Sequence, residues 1–158
     1  MNHPINFNLK RSAALLMFYS LLSTSLLAQQ PQLEKLSEDE VAQENIETAQ
    51  QLAEDILGSM AEGSYYEFQE GEAIPVLEQQ FTEDMQKQQY QMIKSQLGEY
   101  ASGVEYQEAY AAKQAGQNFT IYRFKADFSK GKPEVRVVLM PDNKLAGLQV
   151  LPWQDSIQ

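Results

Sequence analysis

Three tyrosines and one arginine, Tyr106, Tyr110, Tyr122 and Arg136, lie in the C-terminal half in stretches where apolar residues recur at every second position. Successive side chains of a β-strand point to opposite faces, so these positions could bring hydroxyls and a guanidinium to the wall of a ligand cavity. A carboxylic base beside a tyrosine donor is sufficient to isomerise a ketone. Glu108 shares the parity of Tyr106 and Tyr110, which makes it the nearest candidate base. Asp127 is a weaker one, because its parity sets it on the face opposite Tyr122. The plainer alternative is that the tyrosines are ordinary sheet residues with their hydroxyls at the rim. Arg136 interrupts an apolar strand and reads either as an edge or surface residue or as an anion-binding group inside the fold.

Other chemistry is limited by what the chain lacks. Cysteine is absent and the one histidine, His3, lies near the N-terminus. Residues 1–28 have the layout of a secretory signal peptide: a polar start ending in Lys10 and Arg11, an apolar run from Ala13 to Leu22, and a small-residue exit closing at Ala28. The apolar run is interrupted by Ser20 and falls short of the roughly 20 residues that span a bilayer, so export with cleavage is expected rather than stable membrane insertion. Cleavage removes His3 and with it nucleophile–histidine catalysis and zinc sites of the usual His/Cys type. No P-loop and no dinucleotide fingerprint is present. No catalytic residue, metal or cofactor is therefore expected.

Cleavage also removes Lys10 and Arg11, leaving ten cations against 22 acids, so the net charge moves from −10 to −12. Such a surface repels nucleic acid and anionic membrane. The expected location is the periplasm or the external medium.

The elements that must carry the tyrosines follow from the change in hydrophobic period. Residues 29–36 read as a disordered leader and 37–153 as one α+β domain, with 154–158 a tail. Ser37-Glu38-Asp39-Glu40 has the form of a capping box, and Ala42, Ile46, Ala49, Ala53, Ile56 and Met60 trace a helix from about Ser37 to Ala61, stopped by Gly63. Ser64 to Phe68 reads as a short second helix or turn, and Pro75 interrupts the stretch after it. Thr82-Glu83-Asp84 opens a third helix with Met85, Met92, Ile93 and Leu97 on its apolar face and Gln86 to Gln91 on its wet side. After Gly98 the period becomes two. Turns at Ala115-Gly116, Ser129 to Lys132 and Pro141 to Lys144 divide the remainder into about four strands. Met60, Met85, Met92 and Met140 fill the core, and Trp153 packs over its end or meets a partner. Helices followed by hairpin-linked strands mean helices packed on a curved antiparallel sheet.

Three stretches carry a family likeness: Leu57-Gly58-Ser59-Met60-Ala61-Glu62-Gly63-Ser64-Tyr65-Tyr66; Phe81-Thr82-Glu83-Asp84-Met85 with Gln96-Leu97-Gly98-Glu99-Tyr100; and the hairpin from Val135 to Leu148 around Asp142-Asn143-Lys144. The chain resembles the nuclear transport factor 2-like, or cystatin-like, cone fold. It resembles in particular a family of bacterial secreted domains without an assigned activity, found alone or ahead of modules such as α/β-hydrolases. The resemblance covers roughly Glu38 to Pro152 and transfers no catalytic residue. The favoured function is a non-catalytic domain that holds a small apolar ligand or a protein partner, with Tyr106, Tyr110, Tyr122 and Arg136, read from their strand positions, as candidate ligand contacts. The alternative is a small isomerase- or hydrolase-like enzyme working with carboxylates and tyrosines. Cones of this type commonly pair through the exposed sheet face. Here the charge of −12 on each copy points to a monomer or a weak homodimer, strengthened by salt.

Overall fold

The structure is a computed structural model describing residues 32–157; the signal peptide expected at 1–28 lies outside the described residues. The chain folds as α+β. Helices α1 (Gln43–Glu62), α2 (Pro75–Gln80) and α3 (Glu83–Leu97) precede the long strands β2 (Tyr100–Gln114), β3 (Gln117–Phe128), β4 (Glu134–Leu139) and β5 (Leu145–Leu151). A fifth strand, β1 (Gln32–Lys35), comes first and pairs with the far end of β2, Leu33 opposite Ala112 and Lys35 opposite Tyr110. The sheet is an antiparallel meander in the order β1-β2-β3-β4-β5. It thus has five strands rather than about four, and residues 32–35 are a sheet edge rather than a disordered leader. With only Leu33 apolar, the sequence of β1 has no alternation to announce it; backbone pairing, continued by the Leu36 amide donating to the Ala109 carbonyl at 3.0 Å, holds it in place.

The hairpin chemistry is local. Ala115 and Gly116 both adopt positive φ, 50° and 82°, the backbone that lets a two-residue loop follow the twist of its strands. Asn143 does the same at φ 64°. Gly98 serves a different need. It joins α3 to β2 at φ 89°, and a Cβ there would lie 2.2 Å from Ser129 Oγ and 2.9 Å from the Lys130 amide.

The helices differ from expectation in three places. The Ser37 amide and hydroxyl both donate to Glu40 Oε2, at 2.9 and 2.5 Å, but this box closes one 3-10 turn at Glu38–Glu40. Val41 and Ala42 are extended, and α1 starts only at Gln43. No helix forms over Ser64–Phe68. Pro75 instead opens α2, as a proline at the first helical position can, since its missing N–H would have had no intrahelical partner.

In α3 the buried residues are Gln86, Tyr90 and Ile93, while Met92 is exposed. Within the expected wet side Gln86 and Tyr90 therefore face inward, while Lys87, Gln88 and Gln91 are exposed, and Met92 is not a core filler. Gln86 can be buried because its amide is fully used: Oε1 accepts from the Tyr66 amide at 2.8 Å, and Nε2 donates to the Tyr66 and Phe81 carbonyls at 2.9 and 3.1 Å. The Tyr90 hydroxyl accepts from the Tyr100 amide.

The core lies between α1 and the inner sheet face. Ala49, Ala53, Ile56 and Leu57 meet Tyr122, Phe124, Ala126, Val135, Val137 and Leu148, all buried. Among the described residues, no helix is long and apolar enough to cross a membrane.

Candidate functional site

The outer sheet face, away from the helices, carries the most concentrated polar chemistry in the fold. The strand register sets its side chains in rows. One row runs Glu108, Arg123, Arg136, Gln149; the next runs Glu105, Lys125, Glu134, Leu151. Arg123 stands directly opposite Arg136, an arrangement of like charges that destabilises a sheet unless a counter-ion intervenes. Glu134 is that counter-ion. Its Oε1 accepts from Arg123 Nε at 2.8 Å and its Oε2 from Arg123 Nη2 at 2.6 Å, and it also bonds Arg136 Nε. Arg123 Nη1 reaches Glu108, which Lys35 of β1 engages from the other side at 2.5 Å.

Arg123 and Glu134 are fully buried, although no helix covers them. The cover comes from the chain end. The Trp153 ring lies over the Arg123 guanidinium at 4.6 Å and over Lys125 Nζ at 4.2 Å, and the Gln154 carbonyl accepts from Arg123 Nη2 at 2.5 Å. Trp153 thus closes the outer face rather than the core end, and the tail at Gln154 is part of the packed structure. Glu134 raises the pKa of Arg123 further above its usual value. Burial pushes the Glu108 carboxyl up, but bonds from Lys35, Tyr110 and Arg123 outweigh it and hold the group below its ordinary value.

The four tyrosine and arginine candidates are divided between the two faces. Pairing shifts between Tyr106 and Glu108, so Tyr106 stands opposite Phe124 while Glu108 stands opposite Arg123. This bulge, with Gln107 as the extra residue, turns Tyr106 inward and leaves Glu108 and Tyr110 outward. The parity that grouped Glu108 with Tyr106 is corrected accordingly. Tyr106 packs edge-on against Phe124 at 5.9 Å. Tyr122 is buried on the inner face, where burial raises its pKa and its hydroxyl has Thr120 and Asn45 as partners. Tyr110 donates to Glu108 Oε1 at 3.1 Å on the outer face. Arg136 is on the same outer face, as the surface reading has it, in a strand paired on both sides rather than at a sheet edge. Asp127 is exposed and pairs with Lys132 at 3.1 Å.

Sequence reading missed Lys35, Arg123 and Glu134 as a unit. The signal available was an arginine between two aromatic residues of β3, with a glutamate eleven positions on, across the predicted hairpin. Among the described residues no three His, Cys, Asp or Glu side chains are grouped to hold a metal ion, and no buried side-chain nitrogen or oxygen lacks a partner. Above the charged rows the outer face turns apolar. Tyr110, Ile121 and Val138 form one row and Leu33, Ala112 and Phe119 begin the next. All of these but the buried Ala112 are half-buried. A groove of about 560 Å³ opens at this end, lined in part by Leu33, Ala112, Phe119 and Pro141. Comparisons with protein-family models, with curated proteins and with solved structures find no match for this chain.

Proposed function

We propose that the chain is an exported, non-catalytic interaction domain of the nuclear transport factor 2-like cone type, which contacts a protein through the open half of its outer sheet face. The observation that carries this reading is the division of that face. The charged half is sealed by the protein's own Trp153 and Gln154, whereas the adjoining half leaves Leu33, Tyr110, Phe119, Ile121 and Val138 half-buried with no helix or strand among the described residues packed over them. An antiparallel sheet with one solvated face normally alternates apolar inward and polar outward, and this patch departs from that rule. Depletion of charge with aromatic and aliphatic residues at the centre is the composition of an interface core. The simplest occupant is a second copy, as the resemblance implies.

The enzymatic alternative finds less support. The candidate base Glu108 is held ionised by two cations and turned away from Tyr106 by the bulge, and the inner face is filled by packed side chains. A small apolar ligand is the second reading, favoured by the groove beside Leu33 and Phe119.

A photo-crosslinking side chain at Val138 tests the proposal in protein recovered from the extracytoplasmic fraction. Adducts to a second copy or another protein are expected, with none from the same group at Glu47 of α1. No adduct at Val138, together with a stoichiometric small molecule in native mass spectra, would replace the protein partner by the ligand.

A further inference from the structure

Charge is distributed unevenly along this chain. From Leu36 to Gln86 there are fourteen Asp and Glu and no Lys or Arg, whereas residues 87–157 hold nine cations and seven acids. The helical layer is therefore the anionic part of the molecule, and within it the connection from α1 to α2 folds against the start of α3 to leave a cleft of about 450 Å³. Its wall is aromatic. Tyr66 meets Phe68 edge-on at 5.4 Å, Phe68 meets Phe81 at 5.1 Å, and the exposed Tyr65 adds a further ring. Its rim is acidic, formed by Glu67, Glu70, Glu78 and Glu83.

The cleft is built rather than slack. Gln86, buried in α3, binds both the amide and the carbonyl of Tyr66 and the carbonyl of Phe81. The Tyr66 hydroxyl donates to Glu72 at 2.9 Å, and the same carboxylate accepts from the Gln69 amide at 3.0 Å. These bonds fix the aromatic wall. Two of the rim carboxylates have internal partners, Glu67 from the Tyr65 hydroxyl and Glu83 from Lys87. Glu70 and Glu78 are exposed and have no cationic partner among the described residues.

Aromatic faces ringed by carboxylates suit a cation carried on an apolar stem. The ring quadrupole attracts the charge, the rings pack on the methylenes, and the carboxylates pair with the head. Arginine adds a planar fork that matches a carboxylate. We propose that this cleft docks a Lys or Arg side chain of an extended basic segment from a partner protein. A protein segment fits better than a free small cation because most of the lining is exposed, whereas small-molecule sites enclose the bulk of their ligand. A side chain needs only the cleft, while its neighbours along the segment meet the surrounding acids. This inference is independent of the sheet-face contact.

The probe is a fluorescein-labelled peptide of alternating glycine and arginine, titrated with the whole exported protein and followed by anisotropy at low and high salt. Binding that weakens with salt is expected. Glu70→Lys with Glu78→Lys should weaken it by about tenfold or more, as expected when charge complementarity across a contact is reversed. The same change of charge at Glu44→Lys with Glu47→Lys, on the far end of α1, should weaken it by less than about threefold. Tyr65→Ala should weaken it with no change in net charge. Circular dichroism of each variant separates loss of binding from loss of fold. Equal losses at the two pairs of positions would reduce the effect to the diffuse field and overturn the site. Competition by free arginine as effective as that of an equal concentration of peptide would overturn the protein segment in favour of a small cation. Failure of the unaltered protein to bind the peptide would end the proposal.

Discussion

On the inner face of the sheet Phe124, Val135 and Val137 are buried beneath α1 in an apolar cluster, while on the outer face Arg123 and Glu134 are buried just as completely beneath one tryptophan and a carbonyl group. The inner arrangement is graded. Each apolar side chain contributes about 1.5–3 kcal/mol on burial, and its loss is felt in proportion to the cavity left behind. The outer arrangement is closer to all-or-none. A complete buried ion network is near neutral against an apolar replacement, but a network missing one member leaves an uncompensated charge in a dry place. The two faces should therefore answer mutation differently.

The largest expected effect is on the outer face. Arg123→Met leaves Glu134 buried with only Arg136 as counter-ion, and should cost about 3–5 kcal/mol in urea unfolding. Arg123→Met combined with Glu134→Leu should recover more than half of that loss, because the fully buried carboxylate is gone and Arg136, the cation it leaves without its partner, is not fully buried. If the double variant is as unstable as the sum of its parts, the network stabilises in its own right and the contrast with the inner face fails. Next is Leu57→Ala on α1, expected to cost about 3 kcal/mol. Combined with Val137→Ala it should find no comparable rescue, since neither truncation removes a liability created by the other.

The same contrast explains what could be read in the sequence. The inner face was legible because its signal is periodic: Ala49, Ala53, Ile56 and Met60 at steps of three and four, then Tyr122, Phe124, Ala126 and Phe128 at steps of two. The hairpins were legible because Ala115-Gly116 and Asp142-Asn143 carry turn chemistry. The outer face obeys no period. Gln107 adds one residue to β2 and inverts every face assignment beyond it, so Glu108 could not be placed by counting from Tyr106. Arg123 looks like any polar strand position until Glu134, across the hairpin, and Trp153, past the last strand, are brought over it. Gln86 was misread for a related reason. A buried amide is determined by backbone groups at Tyr66 and Phe81, and spacing along α3 does not contain them.

A smaller effect concerns the lid itself. Trp153→Ala removes the ring from Arg123 and Lys125 and should cost about 1–2 kcal/mol, the range for a partly desolvated cation–π contact. It should leave the Leu57→Ala cost unchanged, because the two sites lie on opposite sides of the sheet and share no partner. A non-additive pair would mean the tail and the core unfold as one unit, and the two faces would not be separate systems.

The smallest effect is on pH, and it isolates one carboxylate of the network. Glu108 has a folded-state pKa below its ordinary value of about 4.3. A group shifted this way binds protons more weakly in the folded state, so its contribution to stability is complete above the unfolded value and is lost as pH falls through the folded one. Nothing should change between neutrality and about pH 5 on this account. As pH falls below the unfolded value and through the lower folded one, protonation weakens the bonds from Lys35 and Arg123, and the guanidinium under Trp153 loses one of its two carboxylates. Trp153 is the only tryptophan in the chain, so its emission reports the surroundings of one ring, the Arg123 guanidinium beneath it and the Asp155 carboxylate that accepts from its Nε1, while far-ultraviolet circular dichroism follows the helices. The emission change should begin at a higher pH than the loss of helix. In Glu108→Gln that early step should disappear, and the protein should already be less stable at pH 7. If emission and helix signals fall together in both proteins, the outer network opens only with the global fold, and the charged face has no transition of its own.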